Sequence, residues 1–195
     1  MKKFIMSVLA GVMLASTGIA SSDIVENNSF IKNRIFKHNV LKCLNEVKQH
    51  DYLNYIIPIF NQKKIPYEFV YLPVIESCFD PAAESNKGAI GMWQINDITA
   101  KHLNLDTGIV IDDRYNWKKS THAAAKYLLF LKERFDTWTH VLAAYNVGPT
   151  YLRDQIEKHN TTQLNKLQLP KETVDYVHKF VAMIYILRND SRKTL

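Results

Sequence analysis

The sequence predicts a mainly α protein, and three observations carry that expectation. Apolar residues recur at helical spacing along most of the chain, and no stretch alternates as a half-buried strand requires. The composition, 47% hydrophobic and 23% charged, fits a globular chain rather than a disordered one. At 195 residues, without internal repeats or low-complexity segments, the chain has single-domain size and can bury a sizeable core.

Residues 1–20 read as a signal peptide. Lys2 and Lys3 give a basic start, residues 4–14 are apolar apart from Ser7 and Gly11, and Ala20 ends a run of small residues. The apolar run is too short for a comfortable membrane span. Export with cleavage near Ala20 is expected, and no cysteine near that point offers a lipid anchor. Residues 21–28 are polar and expected to be loose.

From Phe30 the pattern turns helical, with Ile31, Ile35, Val40, Leu41, Leu44 and Val47 near one face. Leu53, Ile56, Ile57 and Phe60 predict a second helix, in which Pro58 must be a kink or an end. These elements make an N-terminal helical segment, 21–60, expected to pack on a main domain, 61–195. Residues 61–64 read as a loop.

Pro66 and Glu68 suit the first turn of a helix running to Glu76, apolar nearly all round and therefore buried. Pro73 interrupts its hydrogen bonding, and Asp80-Pro81 forces a turn. A short helix follows Asn96 through Ala100 and Leu103. Residues 106–113 form a loop.

Ser120 or Thr121 could cap the next helix, whose apolar stripe is Ala124, Tyr127, Leu128, Leu131 and Phe135. A buried helix over Trp138 and residues 141–145 should stop at Gly148, which can take a positive φ. A helix through Ile156 and a polar loop at Thr161-Thr162 come next. The last helix starts near Pro170 and buries Val174, Val177, Val181, Ile184 and Ile186, before a frayed basic tail from Arg188.

Glu76 is the only acid between Phe69 and Cys78. A carboxyl group ending such an apolar run should be partly desolvated, which disfavours its charged form and raises its pKa. It could then donate a proton near neutral pH, as a general acid at a glycosidic oxygen must. Downstream, Gly88 and Gly91 let backbone approach a ligand. Trp93 offers a flat face for a sugar ring, and Gln94 offers a neutral donor and acceptor. Taken alone, Trp93 reads more readily as core, and Ser77 equally as a turn residue.

Other chemistries lack their residues. The seven histidines do not fall at metal-ligand spacing, Ser77 has no Gly-x-Ser-x-Gly frame, and no phosphate loop is present. The net charge of +6 and a pI near 9.2 point to an acidic partner, but the lysines are scattered rather than clustered for nucleic acid. Cys43 and Cys78 could pair in an oxidising compartment or stay as buried thiols.

Glu76-Ser77, Gly88-x-x-Gly91-Met92-Trp93-Gln94 and Ala143-Ala144-Tyr145-Asn146-x-Gly148 resemble, in this order, three motifs of the lytic transglycosylases of the soluble-lytic-transglycosylase-like family. The branch of membrane-bound murein transglycosylase D is the most similar, through residues 72–77 and 169–173 with Tyr176-Val177. The resemblance runs from about Val40 to about Ile186. It implies a lysozyme-like helical domain, with a small irregular or β element near residues 88–94.

The resemblance also implies an enzyme cutting the β-1,4 bond between N-acetylmuramic acid and N-acetylglucosamine of peptidoglycan, with 1,6-anhydro-muramic products. Glu76 would be the catalytic acid and then base. Ser77, Gly91, Met92, Trp93, Gln94, Tyr145, Asn146, Glu172 and Tyr176 would bind the saccharide. No metal or organic cofactor is implied. The partners would be glycan strands in the periplasm, without nucleic acid or a stable membrane anchor, and a cell-envelope secretion or conjugation machine is compatible with the small size. Two other readings share these residues: a goose-type lysozyme-like hydrolase using water, and a non-catalytic peptidoglycan-binding or assembly protein.

Overall fold

The structure, a computed structural model, describes residues 28–190. The expected signal peptide and residues 21–27 of the expected loose leader lie outside the described residues, as do residues 191–195 of the basic tail, while Asn28, the leader's last residue, is buried rather than loose. Among the described residues there are nine α-helices, two short 3-10 turns and no strand, so the mainly α expectation holds. No described helix is long and apolar enough to cross a membrane. The chain divides into two compact units, His38–Phe130 and a second made of residues 28–37 with 131–190.

The chain enters the second unit at α1 (Ser29–Lys32), capped by Asn28, whose side chain accepts from Phe30 N. Asn33 is extended, so the expected single helix breaks there before α2 (Arg34–Val47) begins. In the His38–Phe130 unit, α3 (Tyr52–Gln62) runs straight through Pro58 and two residues into the expected loop. Proline removes one in-helix hydrogen bond, but Pro58 is exposed while Ile56 and Phe60 on the other face are fully buried. Burial of that face outweighs the lost bond.

The helix expected to run from Pro66 to Glu76 is two pieces, a 3-10 turn (Tyr67–Tyr71) and α4 (Leu72–Glu76). Pro73 sits in the first turn of α4, where its missing N–H costs nothing, so it starts a helix rather than interrupting one. Next, α5 (Asp97–His102) follows Asn96 as expected, and the Asn96 side chain caps it. The following helix, α6 (Trp117–Lys132), starts earlier than expected. Asn116 caps it, its side-chain oxygen accepting from Lys118 N and Lys119 N, and Ser120 and Thr121 are buried inside the helix.

The second unit continues with α7 (Trp138–Val147), capped by Thr137, then α8 (Pro149–His159) and α9 (Lys171–Asp190). Helix α7 packs on α8 and α9, and α1 packs on α9. Asn28 fastens α1 there by donating from Nδ2 to His178 O at 2.8 Å. Gly148 ends α7 at φ 90°, the positive value the sequence reserves for it. On α9, Val177, Val181, Ile184 and Ile186 are buried, but Val174 is exposed, a turn ahead of the face that packs.

Candidate active site

Glu76 is the last residue of α4 and is half-buried. The chain then makes an unusual turn. Ser77 N and Phe79 N both donate to Pro73 O, and Cys78 and Phe79 take φ values of 57° and 61°. Two consecutive left-handed residues without a glycine are strained, and surrounding structure must hold them. Two anchors do so. The Phe79 ring is buried against Tyr52, with centroids 6.0 Å apart. Cys78 is joined to Cys43 of α2 by a disulfide with Cα atoms 5.5 Å apart. The pairing left open by the sequence is therefore made, and it covalently fixes the residue two positions after Glu76.

Residues 83–95 form a loop in the same unit. Gly91 N donates to Ala83 O, and Ile90 and Ile95 exchange both backbone bonds as an isolated β-bridge, which is the small β element expected here. Gly91 has φ 78°, and a Cβ there would lie 2.1 Å from the Arg114 carbonyl oxygen, so only glycine fits. Ser77 Oγ donates to Met92 O at 2.9 Å, tying the residue after Glu76 to this loop.

The loop's side chains divide by depth. Met92 and Trp93 are completely buried, so the Trp93 ring lies inside the unit rather than on its surface. It stacks on Phe60 at 5.5 Å, and its Nε1 donates to Thr121 Oγ1 at 2.9 Å. Gln94 is half-buried at φ 46°, and its Nε2 donates to Gly91 O and Ala83 O.

The sequence reading did not single out Asp112 and Arg114. Arg114 is 6% exposed and grips the Asp112 carboxylate with two parallel bonds, Nε to Oδ1 at 2.9 Å and Nη2 to Oδ2 at 2.6 Å. Its Nη1 donates to Gly88 O at 3.3 Å and Ile95 O at 3.5 Å. The hydrogen bonds from Arg114 hold the Asp112 carboxyl below the usual aspartate range, and Asp112 in turn raises the guanidinium. The Asp112-Asp113-Arg114 run has no periodicity, so only the fold reveals its partners.

The remaining candidates lie in the second unit. Tyr145 is half-buried and Asn146 exposed on the last turn of α7. Thr173 Oγ1 donates to Asn146 Oδ1 at 2.8 Å, which joins that turn to the start of α9. There Glu172 is exposed in the first turn, and Tyr176, one turn on, is buried. The structure thus brings Glu76 and Ser77 to the glycine loop in one unit, and Asn146 to the Glu172 turn in the other.

The family described as Transglycosylase SLT domain matches residues 55–168. The chain is 31% identical over 182 residues to membrane-bound lytic murein transglycosylase D of Escherichia coli (strain K12), a match covering 90% of this chain and 39% of that protein. It is 34% identical over 106 residues to a putative tributyltin chloride resistance protein of Alteromonas sp. (strain M-1), covering 54% of this chain and 51% of that one. It is 32% identical over 108 residues to membrane-bound lytic murein transglycosylase F of Desulfosudis oleivorans, covering 51% of this chain and 22% of that protein. The chain thus spans about two fifths of the length of the transglycosylase D it matches. On the extent of the family match and of the identity, the chain belongs to the transglycosylase SLT domain family.

Proposed function

We propose that this chain is a lytic transglycosylase that cleaves the β-1,4 bond between N-acetylmuramic acid and N-acetylglucosamine in peptidoglycan. The observation that carries the reading is the tether from Ser77 to Met92 O, which fastens the turn after half-buried Glu76 to a glycine loop whose exposed Gly88 leaves room for close approach. In the first step the Glu76 carboxyl gives its proton to the glycosidic oxygen as the bond to the anomeric carbon breaks. The substrate's own N-acetyl oxygen stabilises the cationic centre. The Glu76 carboxylate then takes the proton from the muramic C6 hydroxyl, whose oxygen closes the 1,6-anhydro ring. Glu76 ends protonated, and no water is consumed.

Saccharide contacts follow from the placement of the side chains. With the Gln94 amide nitrogen engaged in the loop, its oxygen is the atom offered to a sugar hydroxyl. Exposed Gly88 leaves its backbone open, while buried Gly91 shapes the loop and Met92 and Trp93 support it from within. Ser77 orients Glu76, and Tyr145, Asn146, Glu172 and Tyr176 are further saccharide-binding residues. The N-terminal helical segment, 21–60, supports a catalytic domain over 61–195, and the Cys43–Cys78 bridge is the covalent tie between them. The place of action is the periplasm, reached by the signal peptide over residues 1–20.

Product analysis tests the reading. Digested peptidoglycan should release muropeptides ending in 1,6-anhydro-muramic acid, lighter by one water than hydrolysis products. Reducing ends would instead assign a hydrolase. Glu76→Gln should slow release by about a hundredfold to ten-thousandfold while the protein still sediments with sacculi. Near-normal release by the folded variant would remove Glu76 from the chemistry.

A further inference from the structure

The Arg114 side chain reaches the glycine loop at both ends. Gly88 and Ile95, whose carbonyls accept from Nη1, flank Gly91, Met92, Trp93 and Gln94. Its backbone carbonyl meets the middle of the same loop, at the spot where a Gly91 Cβ would sit. An ion pair serving stability alone requires neither contact. Asp112 occupies the rest of the guanidinium and also accepts from Arg114 N at 3.0 Å, so the arginine is fixed in direction. What Arg114 fixes is passed on. Met92 O holds Ser77, next to Glu76, and Gly91 O holds the Gln94 amide.

We propose that Arg114, aimed by Asp112, is a positioning residue for the saccharide-binding loop, setting glycan affinity through the loop's backbone. The inference rests on the reading of the chain as a peptidoglycan lytic transglycosylase. A planar fork is needed, because one guanidinium serves the carboxylate through Nε and Nη2 and two carbonyls through Nη1. Lysine carries the charge on a flexible stem without that fork. Arg114→Lys should therefore keep the ion pair, and with it much of the stability, while losing the loop contacts.

This separation is the test. Arg114→Lys, Arg114→Met and Asp112→Asn are made in the full chain, with and without Glu76→Gln. Melting temperature, kcat and KM are measured on soluble uncross-linked glycan strands. Kd is measured in the Glu76→Gln background with a GlcNAc–MurNAc tetrasaccharide. Arg114→Lys should melt close to its parent and raise KM and Kd by about ten- to a hundredfold, with a smaller change in kcat. Asp112→Asn should shift KM in the same direction by less. Should Arg114→Met not fold, the other two variants carry the comparison.

Tetrasaccharide binding by Arg114→Lys as tight as its parent's would overturn the inference and leave the proposed activity standing. So would KM values that merely follow melting temperature across the variants. A protein with Arg114 intact that binds the tetrasaccharide but turns over no glycan would remove the enzymatic reading, and the inference with it.

Discussion

A side chain at position 91 has nowhere to go, because the obstructing atom is the Arg114 backbone carbonyl and not the end of a flexible side chain. Gly88 has nearly the same φ, 76° against 78°, but open space where its Cβ would point. The two positions separate the two reasons for glycine. Gly88→Ala should cost only the left-handed conformation, about 1–2 kcal/mol. Gly91→Ala adds a backbone displacement and should cost about 2–4 kcal/mol. Urea titration of both variants checks this, and equal losses would show that the Arg114 carbonyl does not constrain position 91. The glycine spacing was legible in the sequence, but not which glycine is crowded, since the crowding residue lies 23 positions downstream. Trp93 shows the same limit. An indole can pack or face a sugar, and only the contacts with Phe60 and Thr121 show that this one is inside.

At the level of elements, α4 and the turn after it depend on a cross-link whose formation the sequence left open. Cys43 and Cys78 are 35 residues apart, and closing such a loop removes freedom from the unfolded chain. Replacing both by serine should lower stability by about 2–4 kcal/mol. The left-handed pair at Cys78 and Phe79 loses one of its two anchors, so glycan release should also fall in the variant at temperatures where it remains folded. Circular dichroism melts and release assays on the same preparations check both effects. A melting point unchanged by serine or by reductant would mean that the bridge does not hold this turn.

Most helices were legible because an apolar face recurs, as at Val177, Val181 and Ile184 on α9. The misplaced boundaries have local causes. Asn116, not Ser120, starts α6, and an Asn followed by Trp117-Lys118-Lys119 carries no apolar pattern to mark a helix start. Pro73 could equally begin a helix or interrupt one, and the 3-10 turn before it decides between them.

Across the whole molecule, the family motifs fall in two contact units whose boundaries lie inside α2 and α6. A continuous helix has no proline, glycine or loop at such a point, which is why the division leaves no mark in the sequence. Net charge, by contrast, is legible without any fold. The chain carries +6, of which Lys2 and Lys3 in the expected signal peptide supply two charges. The described lysines sit largely at the surface, Lys101 and Lys171 among them with side chains 67% and 86% exposed. Surface charge of this kind acts at range, raising the local concentration of an anionic polymer, and salt weakens it. The screening length falls from about 10 Å at 0.1 M salt to about 3 Å at 1 M. Sedimentation of Glu76→Gln with sacculi should therefore weaken steadily over that range, because the stem peptides carry carboxylates. Binding of a short uncharged glycan, a chain of N-acetylglucosamine without muramic acid, should change little if the contacts are hydrogen bonds at close range. Parallel titrations of sacculi and of the uncharged glycan separate the two contributions. Identical salt dependence for both ligands would mean that the basic surface contributes nothing specific to wall association.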